Sequence, residues 1–353
     1  NGFRFPDDEE WKEIKEMPSA PLSLEVVLEG FINNDEDSAG VKKEQQSDFL
    51  LEEVEILAGA PIGKSGRVSV FGTIEVEQEG REVATGVDFA TATVETEEIP
   101  YQVAIGSTYI QVNDLLGGVG SGLLNFRAGQ WDISLPFLSH SQRVVKNRYF
   151  AQRNLGVLGG PGDQDRRAVE LNGQWISAEG TAWPTHRYSV GASRTDLEIE
   201  SRLSRPNLFA TYSINFLERF TLGAIYKRDQ VARTGPADIV QLGKYGVAGE
   251  AEVGPFIGTV GYFMAESTND LDYNNVLAEI LFLPNKKVVL GARYDLLDQE
   301  ERENATASAF TARYNFVSGV YGLVEYRLLR DEENIAGSND REERGRAFLV
   351  ALF

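Results

Sequence analysis

The second half of the chain alternates. Apolar and polar residues change places at every second position in runs of about ten, the period of a half-buried strand. Phe220, Leu222, Ala224 and Tyr226 share one face of such a run, and Thr221, Gly223 and Lys227 the other. Val288, Leu290, Ala292, Tyr294 and Leu296 oppose Arg293 and Asp295, while Val320, Gly322, Val324, Tyr326 and Leu328 oppose Glu325 and Arg327. The connections alternate too, in length. Residues 217–219, 253–255, 283–287 and 317–319 are short links, whereas 230–238, 266–270, 298–305 and 331–344 are longer and polar. Phe216, Phe220, Phe256, Phe282, Phe316 and Phe353 stand beside the short links or at the chain end, where an interfacial aromatic girdle belongs.

The first half keeps the same parity less cleanly. The pattern predicts strands near 22–32, 49–60, 66–77, 85–95, 101–112 and 122–132, with 33–48 a long polar loop and 61–66 and 97–100 short turns. Later strands near 167–179 and 186–195 require one more outward run between them and 132, placed at 142–153. The expected fold is all-β: a transmembrane, antiparallel, up-and-down β-barrel of about eighteen strands over residues 21–353, or sixteen if two weak segments fail. Short turns would be periplasmic, longer loops outside, and both termini periplasmic. Residues 1–20 form a separate periplasmic segment. Within it 7–17 reads as a short helix, with Asp7, Asp8, Glu9 and Glu10 suiting the helix dipole and Trp11 and Ile14 giving an apolar side. It either plugs the periplasmic mouth or rests at the interface.

Composition narrows the class. No run approaches the ~18 charge-free apolar residues of a spanning helix, and the least charged stretch, 115–126, is broken by Gly117, Gly118, Gly120 and Gly122. A mean hydropathy of −0.27 therefore excludes helical insertion but not a barrel, whose two faces average out. Cysteine is absent, which excludes disulfides, thiolate metal sites and covalent c-type haem on this chain. The start at Asn1 without Met reads as a processed, mature chain. A net charge of −20 argues against nucleic acid as a partner. The charge is uneven: residues 1–100 hold 24 acids and 8 bases (24 − 8, net −16), and 127–244 hold 11 acids and 16 bases (16 − 11, net +5). That predicts an acidic arc and a basic arc in the wall.

Charges facing lipid cost about 2–4 kcal/mol each for Arg or Lys at midplane, so parity turns them inward. If Phe353 faces lipid, Arg346 faces the lumen, and with it Glu25, Glu53, Glu55, Glu75, Arg127, Lys227, Glu279, Arg293, Arg313, Glu325 and Arg327. These either set the selectivity of a pore or pair across strands to stiffen its interior. The stretch 130–162 is basic and carries Arg143, Lys146, Arg148 and Arg153. We read it as a weak strand followed by an exterior Gly-rich loop, the alternative being a loop folded inward as a constriction. His140 and His186 lack partners at metal-ligand spacing, and no Gly-x-Ser-x-Gly elbow supports a hydrolase. Neither glycine cluster, at 117–120 or 159–162, has the Lys-Ser/Thr of a phosphate loop. No bound cofactor is expected.

Three short segments carry resemblances. The terminal Phe353 after an alternating strand resembles the signal read by barrel-assembly machinery, although Ala351 stands where a second aromatic is usual. "GQWDISLPF", residues 129–137, resembles a segment of porins encoded beside multihaem cytochromes, and "LLEEVEILAGAPIG", residues 50–63, points the same way. The resemblance implies an outer-membrane barrel whose alternative role is to sheath a multihaem cytochrome for electron transfer across the membrane. The leading expectation remains an outer-membrane porin passing small hydrophilic solutes through a charged lumen. An outer-membrane enzyme is the third and least supported class.

Overall fold

The computed structural model describes residues 22–36, 42–62, 67–77, 82–88, 93–98, 102–118, 120–133, 135, 138, 166–175, 184–194, 206–217, 219–232, 239–267, 272–299, 304–317, 319–331 and 340–352. The strands are β1 (Leu22–Glu36), β2 (Lys42–Ile62), β3 (Val68–Glu77), β4 (Glu82–Asp88), β5 (Thr93–Glu98), β6 (Gln102–Leu116), β7 (Leu124–Trp131), β8 (Arg166–Trp175) and β9 (Thr185–Arg194). There follow β10 (Asn207–Phe216), β11 (Phe220–Ala232), β12 (Ile239–Val253), β13 (Phe256–Ser267), β14 (Tyr273–Asn285), β15 (Val288–Gln299), β16 (Ala305–Val317), β17 (Val320–Asp331) and β18 (Asp340–Leu352).

Sixteen of these strands close one antiparallel barrel, β1 pairing with both β2 and β18; β4 and β5 pair only with each other. This corrects the count of eighteen to the sixteen-strand alternative. The run predicted at 85–95 is instead a hairpin that satisfies its own backbone hydrogen bonds, and β3 pairs directly with β6. The strand placed at 142–153 lies outside the described residues, and β7 pairs directly with β8. Residues 33–48 are not a long loop: β1 runs to Glu36 and β2 begins at Lys42. β18 likewise starts at Asp340, inside the loop expected at 331–344. Pairing continues where the apolar alternation stops, because backbone groups still need partners after the strand has left the apolar layer.

With an even number of strands, β1 starts and β18 ends at the end of the barrel that holds the short turns. Lys286 and Lys287 form one such turn, where Asn285 Oδ1 accepts from the Lys287 and Val288 amides at 2.8 and 3.1 Å. The glycines after β6 form a longer turn at the same end, latched by Asp114, which accepts the Gly120 and Gly122 amides at 2.8 Å each.

The outer face is apolar. Leu222, Val247, Val260, Ile280, Leu290 and Val324 are exposed there, while Lys227, Thr259, Glu279, Arg293 and Glu325 on the opposite face are buried. Phe256 stacks on Phe282 at 4.9 Å beside a short turn. Toward the other end, Tyr226, Tyr262, Tyr294 and Tyr326 are each the seventh residue of β11, β13, β15 and β17, so the wall repeats its aromatic spacing strand by strand. The Tyr262 hydroxyl donates to Asn274 at 2.9 Å and Tyr245 to Glu266, marking where the apolar layer meets polar groups. In β18 Leu349 faces outward and Phe348 and Val350 inward; Phe353 lies outside the described residues. Val260, 62% exposed, gives a direct test: Val260→Arg should lower unfolding stability in bilayers by about 2–4 kcal/mol. Val260→Leu should leave it unchanged, and equal stabilities in urea titrations would contradict the lipid-facing assignment.

Candidate functional site: the lumen and the segment folded into it

The chain leaves the wall at Trp131 and turns inward. β7 directs Arg127 and Trp131 to the inner face, and the same parity carries on through Ile133 and Leu135, both buried although no strand pairs with them. A tight turn follows, the Leu138 amide donating to the Leu135 carbonyl at 2.9 Å. Leu135 and Leu138, 1% and 4% exposed, then pack on Ile225, Ala248, Phe263 and Leu277 of β11 to β14. Trp131 and Ile133 pack on Ala168 and Phe209 along the way. The segment therefore lines the inner wall from β7 to β14. Burying two leucine side chains contributes about 3–6 kcal/mol together, enough to hold a short irregular segment.

The wall is shaped to receive it. At Gly246 a Cβ would collide with the Phe263 ring, so glycine is what lets that ring form the floor of the seat. Gly129, at φ +147, has its place against the Thr108 carbonyl and Tyr109, where no side chain fits and where β7 bends before leaving the wall. Arg127 fixes the departure point. Its guanidinium lies 4.1 Å over Trp131 and 5.0 Å over Tyr109, and it bonds Glu170 at 2.7 Å. Glu170 also accepts from Asn172 at 2.7 Å, and Asn172 Oδ1 accepts from Asn125 at 3.2 Å.

Within the basic stretch 130–162, Trp131, Ile133, Leu135 and Leu138 turn inward, while the weak strand and the Gly-rich loop expected after them lie outside the described residues. Arg143, Lys146, Arg148 and Arg153 lie outside the described residues. The signal available in sequence was the alternation running past the strand through Trp131, Ile133 and Leu135 into Pro136.

The wall beyond the seat is charged. Arg293, Arg327 and Arg344 stand in one cross-strand row of β15 to β18, with Ala309 between the first two. Arg346 pairs in register with Glu325, and Arg313 lies 3.7 Å over Tyr321. On the neighbouring strands Glu25, Glu55 and Glu75 form a second row across β1, β2 and β3. Glu53 pairs in register with Val27 and Glu77; its side chain lies outside the described residues. The rows meet at Glu29, which takes Arg346 at 3.0 Å and Arg344 at 3.8 Å across the seam where the barrel closes. Glu29 is a member the parity argument missed, although it shares a face with Glu25. Lys227 and Glu279 are buried on the inner face nearer the seat.

Glu25, Glu29, Glu55 and Glu75 share the inner face of β1–β3. Within 127–244, Arg127, Lys227 and Lys244 stand on the inner face, the first paired with Glu170 and the others buried. Register and exposure turn Arg167, Arg194 and Arg228 of that stretch outward, and the arginine row belongs to β15–β18. A stretch's net charge adds both faces of its strands, so it cannot locate an arc. His186 stacks on the outward Trp175 at 5.3 Å and meets the Tyr212 hydroxyl at 2.6 Å, an arrangement of the outer wall; His140 lies outside the described residues. Among the described residues no group of three His, Cys, Asp or Glu could hold a metal ion.

The fold has counterparts among solved structures. An anion-selective porin from Comamonas acidovorans aligns over 95% of this chain and 100% of its own, with a TM-score of 0.62 at 9% identity. The fold is a porin's. OprB of Pseudomonas putida aligns over 98% of this chain and 96% of its own, with a TM-score of 0.64 at 8% identity. The outer membrane channel DcaP of Acinetobacter baumannii aligns over 95% of this chain and 98% of its own, with a TM-score of 0.60 at 13% identity. No family model matches the sequence, and no curated protein does. What is shared is the porin fold.

Proposed function

We propose that this chain is an outer-membrane porin that lets small hydrophilic solutes diffuse through a charged lumen, with its short turns and residues 1–20 on the periplasmic side. One observation carries the reading: a closed barrel whose inner wall is charged is narrowed by a segment of its own chain seated on that wall. A structural barrel needs no such segment, whereas a filter gains a size limit from it. Solutes pass between the segment and the free wall, where the arginines of β15–β18 and the carboxylates of β1–β3 set charge preference. Glu25, Glu53, Glu55, Glu75, Arg127, Lys227, Glu279, Arg293, Arg313, Glu325, Arg327 and Arg346 are the proposed lining, with Glu29 and Arg344 added.

The sheath reading rests on the two resembling segments, of which 129–137 contains the inward-facing Trp131, Ile133 and Leu135. A threaded cytochrome would compete for the space that Ile133, Leu135 and Leu138 take. The test is purification from the native membrane, a visible spectrum, and liposome swelling in sugars of graded size. The porin reading expects entry of small sugars, exclusion of large ones and no stoichiometric haem band. A co-purifying Soret band, or liposomes that never swell, would overturn it.

A further inference from the structure

We propose that the outer wall of β8–β11 holds an acylated, bisphosphorylated disaccharide headgroup, gripped by Arg167, Arg194 and Arg228 at the rim away from the short turns. The tyrosines of the wall give the height scale. Val247 joins Tyr262 to Ala224, two residues before Tyr226. Ala278 joins Tyr294 to Val260, two residues before Tyr262. The aromatic level thus steps by two residues for every second strand, as the tilt of strands in a barrel requires. Carried back from Tyr226 through Ala210 to Val190, the same step sets Ala192 at that level on β9. Arg194 therefore stands two residues above it, as Arg228 does on β11. Arg167, directly opposite Arg194 on β8, is within one residue of the same height.

Charge at this height is out of character with the rest of the wall. In the same position β13 carries Met264, β15 Leu296 and β17 Leu328. Glu266, Asp298 and Arg330 come two residues further out. Arg167, Arg194 and Arg228 are all exposed, and the described acids of β7–β11, Glu170 and Asp229, are buried on the inner face. Asp132 follows just past β7. Like charges directly opposed across a strand pair are destabilising, and Arg167 with Arg194 is such a pair. A phosphate between them offsets that cost, since the planar guanidinium binds it in a bidentate fork. Arg228 donates to Gln241 at 2.6 Å, which holds its guanidinium on the wall. Two strand spacings and two residues separate Arg194 from Arg228, ~12 Å between Cα atoms, the span of a disaccharide phosphorylated at both ends. Beneath the arginines Val169, Val190 and Leu208 are exposed and meet the acyl chains.

With the short turns periplasmic, as proposed above, this rim lies in the outer leaflet; passage of solutes is not assumed. Folded chain in detergent, checked by heat-modifiable migration, is titrated with diphosphoryl lipid A, and bound lipid is counted by native mass spectrometry. Arg167→Gln, Arg194→Gln and Arg228→Gln together should weaken binding about tenfold to a hundredfold, the usual contribution of arginines at a phosphate-bearing surface. If the triple variant does not fold, Arg194→Gln and Arg228→Gln singly should each weaken binding severalfold. Arg330→Gln, outward on β17, should bind as the parent does. Lipid lacking one phosphate should bind the parent more weakly, and inorganic phosphate should not displace the bisphosphorylated lipid. Undiminished binding in the β8–β11 variants, or an equal loss in Arg330→Gln, would overturn the proposal. Displacement by inorganic phosphate would make this a site for the free anion and overturn it too. A chain that binds the lipid but passes no current would contradict the porin reading and leave this one standing.

Discussion

Replacing Leu135 and Leu138 together by aspartate should raise single-channel conductance severalfold and admit larger sugars, without loss of the folded barrel. The seat on Ile225, Ala248, Phe263 and Leu277 is wholly apolar. It contributes about 3–6 kcal/mol through the two leucines, and desolvating two ionised carboxylates costs more than that. The segment therefore leaves the wall rather than bury them. The barrel does not depend on it, since every strand of the closed sheet is paired with its neighbours independently of residues 132–138. The change is read by planar-bilayer recording beside a Leu135→Met, Leu138→Met control, which keeps apolar volume and should conduct as the parent does. Unchanged conductance in the aspartate variant would show that this segment does not set the open cross-section.

Glu29→Ala should produce the largest loss of stability among substitutions of the lumen charges. Glu29 is buried on β1 and holds two arginines of β18, so the contact sits on the seam between the first and last strands. Removing it leaves Arg344 and Arg346 facing the seam without the carboxylate between them. Breaking a buried ion pair in this way costs about 3–5 kcal/mol. Glu29→Gln should cost less, because the amide keeps the side chain's volume and its oxygen dipole beside the two guanidinium groups. The heat at which the folded band is lost, together with urea titration in bilayers, measures it. A loss under ~1 kcal/mol would mean that lumen water screens the contact as at a surface. The same variant should shift reversal potential toward anions, because it removes one negative charge beside the arginine row.

Legibility differed along the chain for physical reasons. The outer face of β11, β15 and β17 was readable residue by residue, since lipid demands an apolar side chain at every second position and tolerates few exceptions. The inner placement of Arg293, Glu325, Arg327 and Arg346 follows from the same constraint on the opposite face. The strand count was harder. Residues 82–98 alternate as a barrel strand would, but alternation reports only that two faces differ, and a hairpin outside the barrel also has two faces. The inward segment escaped for a related reason. Ile133 and Leu135 keep the parity of β7, and nothing local distinguishes an apolar residue waiting for lipid from one waiting for the far wall. Its partners, Phe263 and Leu277, lie more than a hundred residues away in sequence. Glu29 was passed over because parity identifies a face but not which member of it closes the seam.

The central claim, a charged porin lumen narrowed by its own chain, is tested most directly by recording from the purified chain alone in planar bilayers under a salt gradient. The account predicts discrete, reproducible conductance steps from folded protein with no cytochrome present. It further predicts a reversal potential displaced from zero that moves toward cations when Arg327 and Arg346 are replaced by glutamine. Folded, heat-modifiable protein that inserts but passes no current would contradict it.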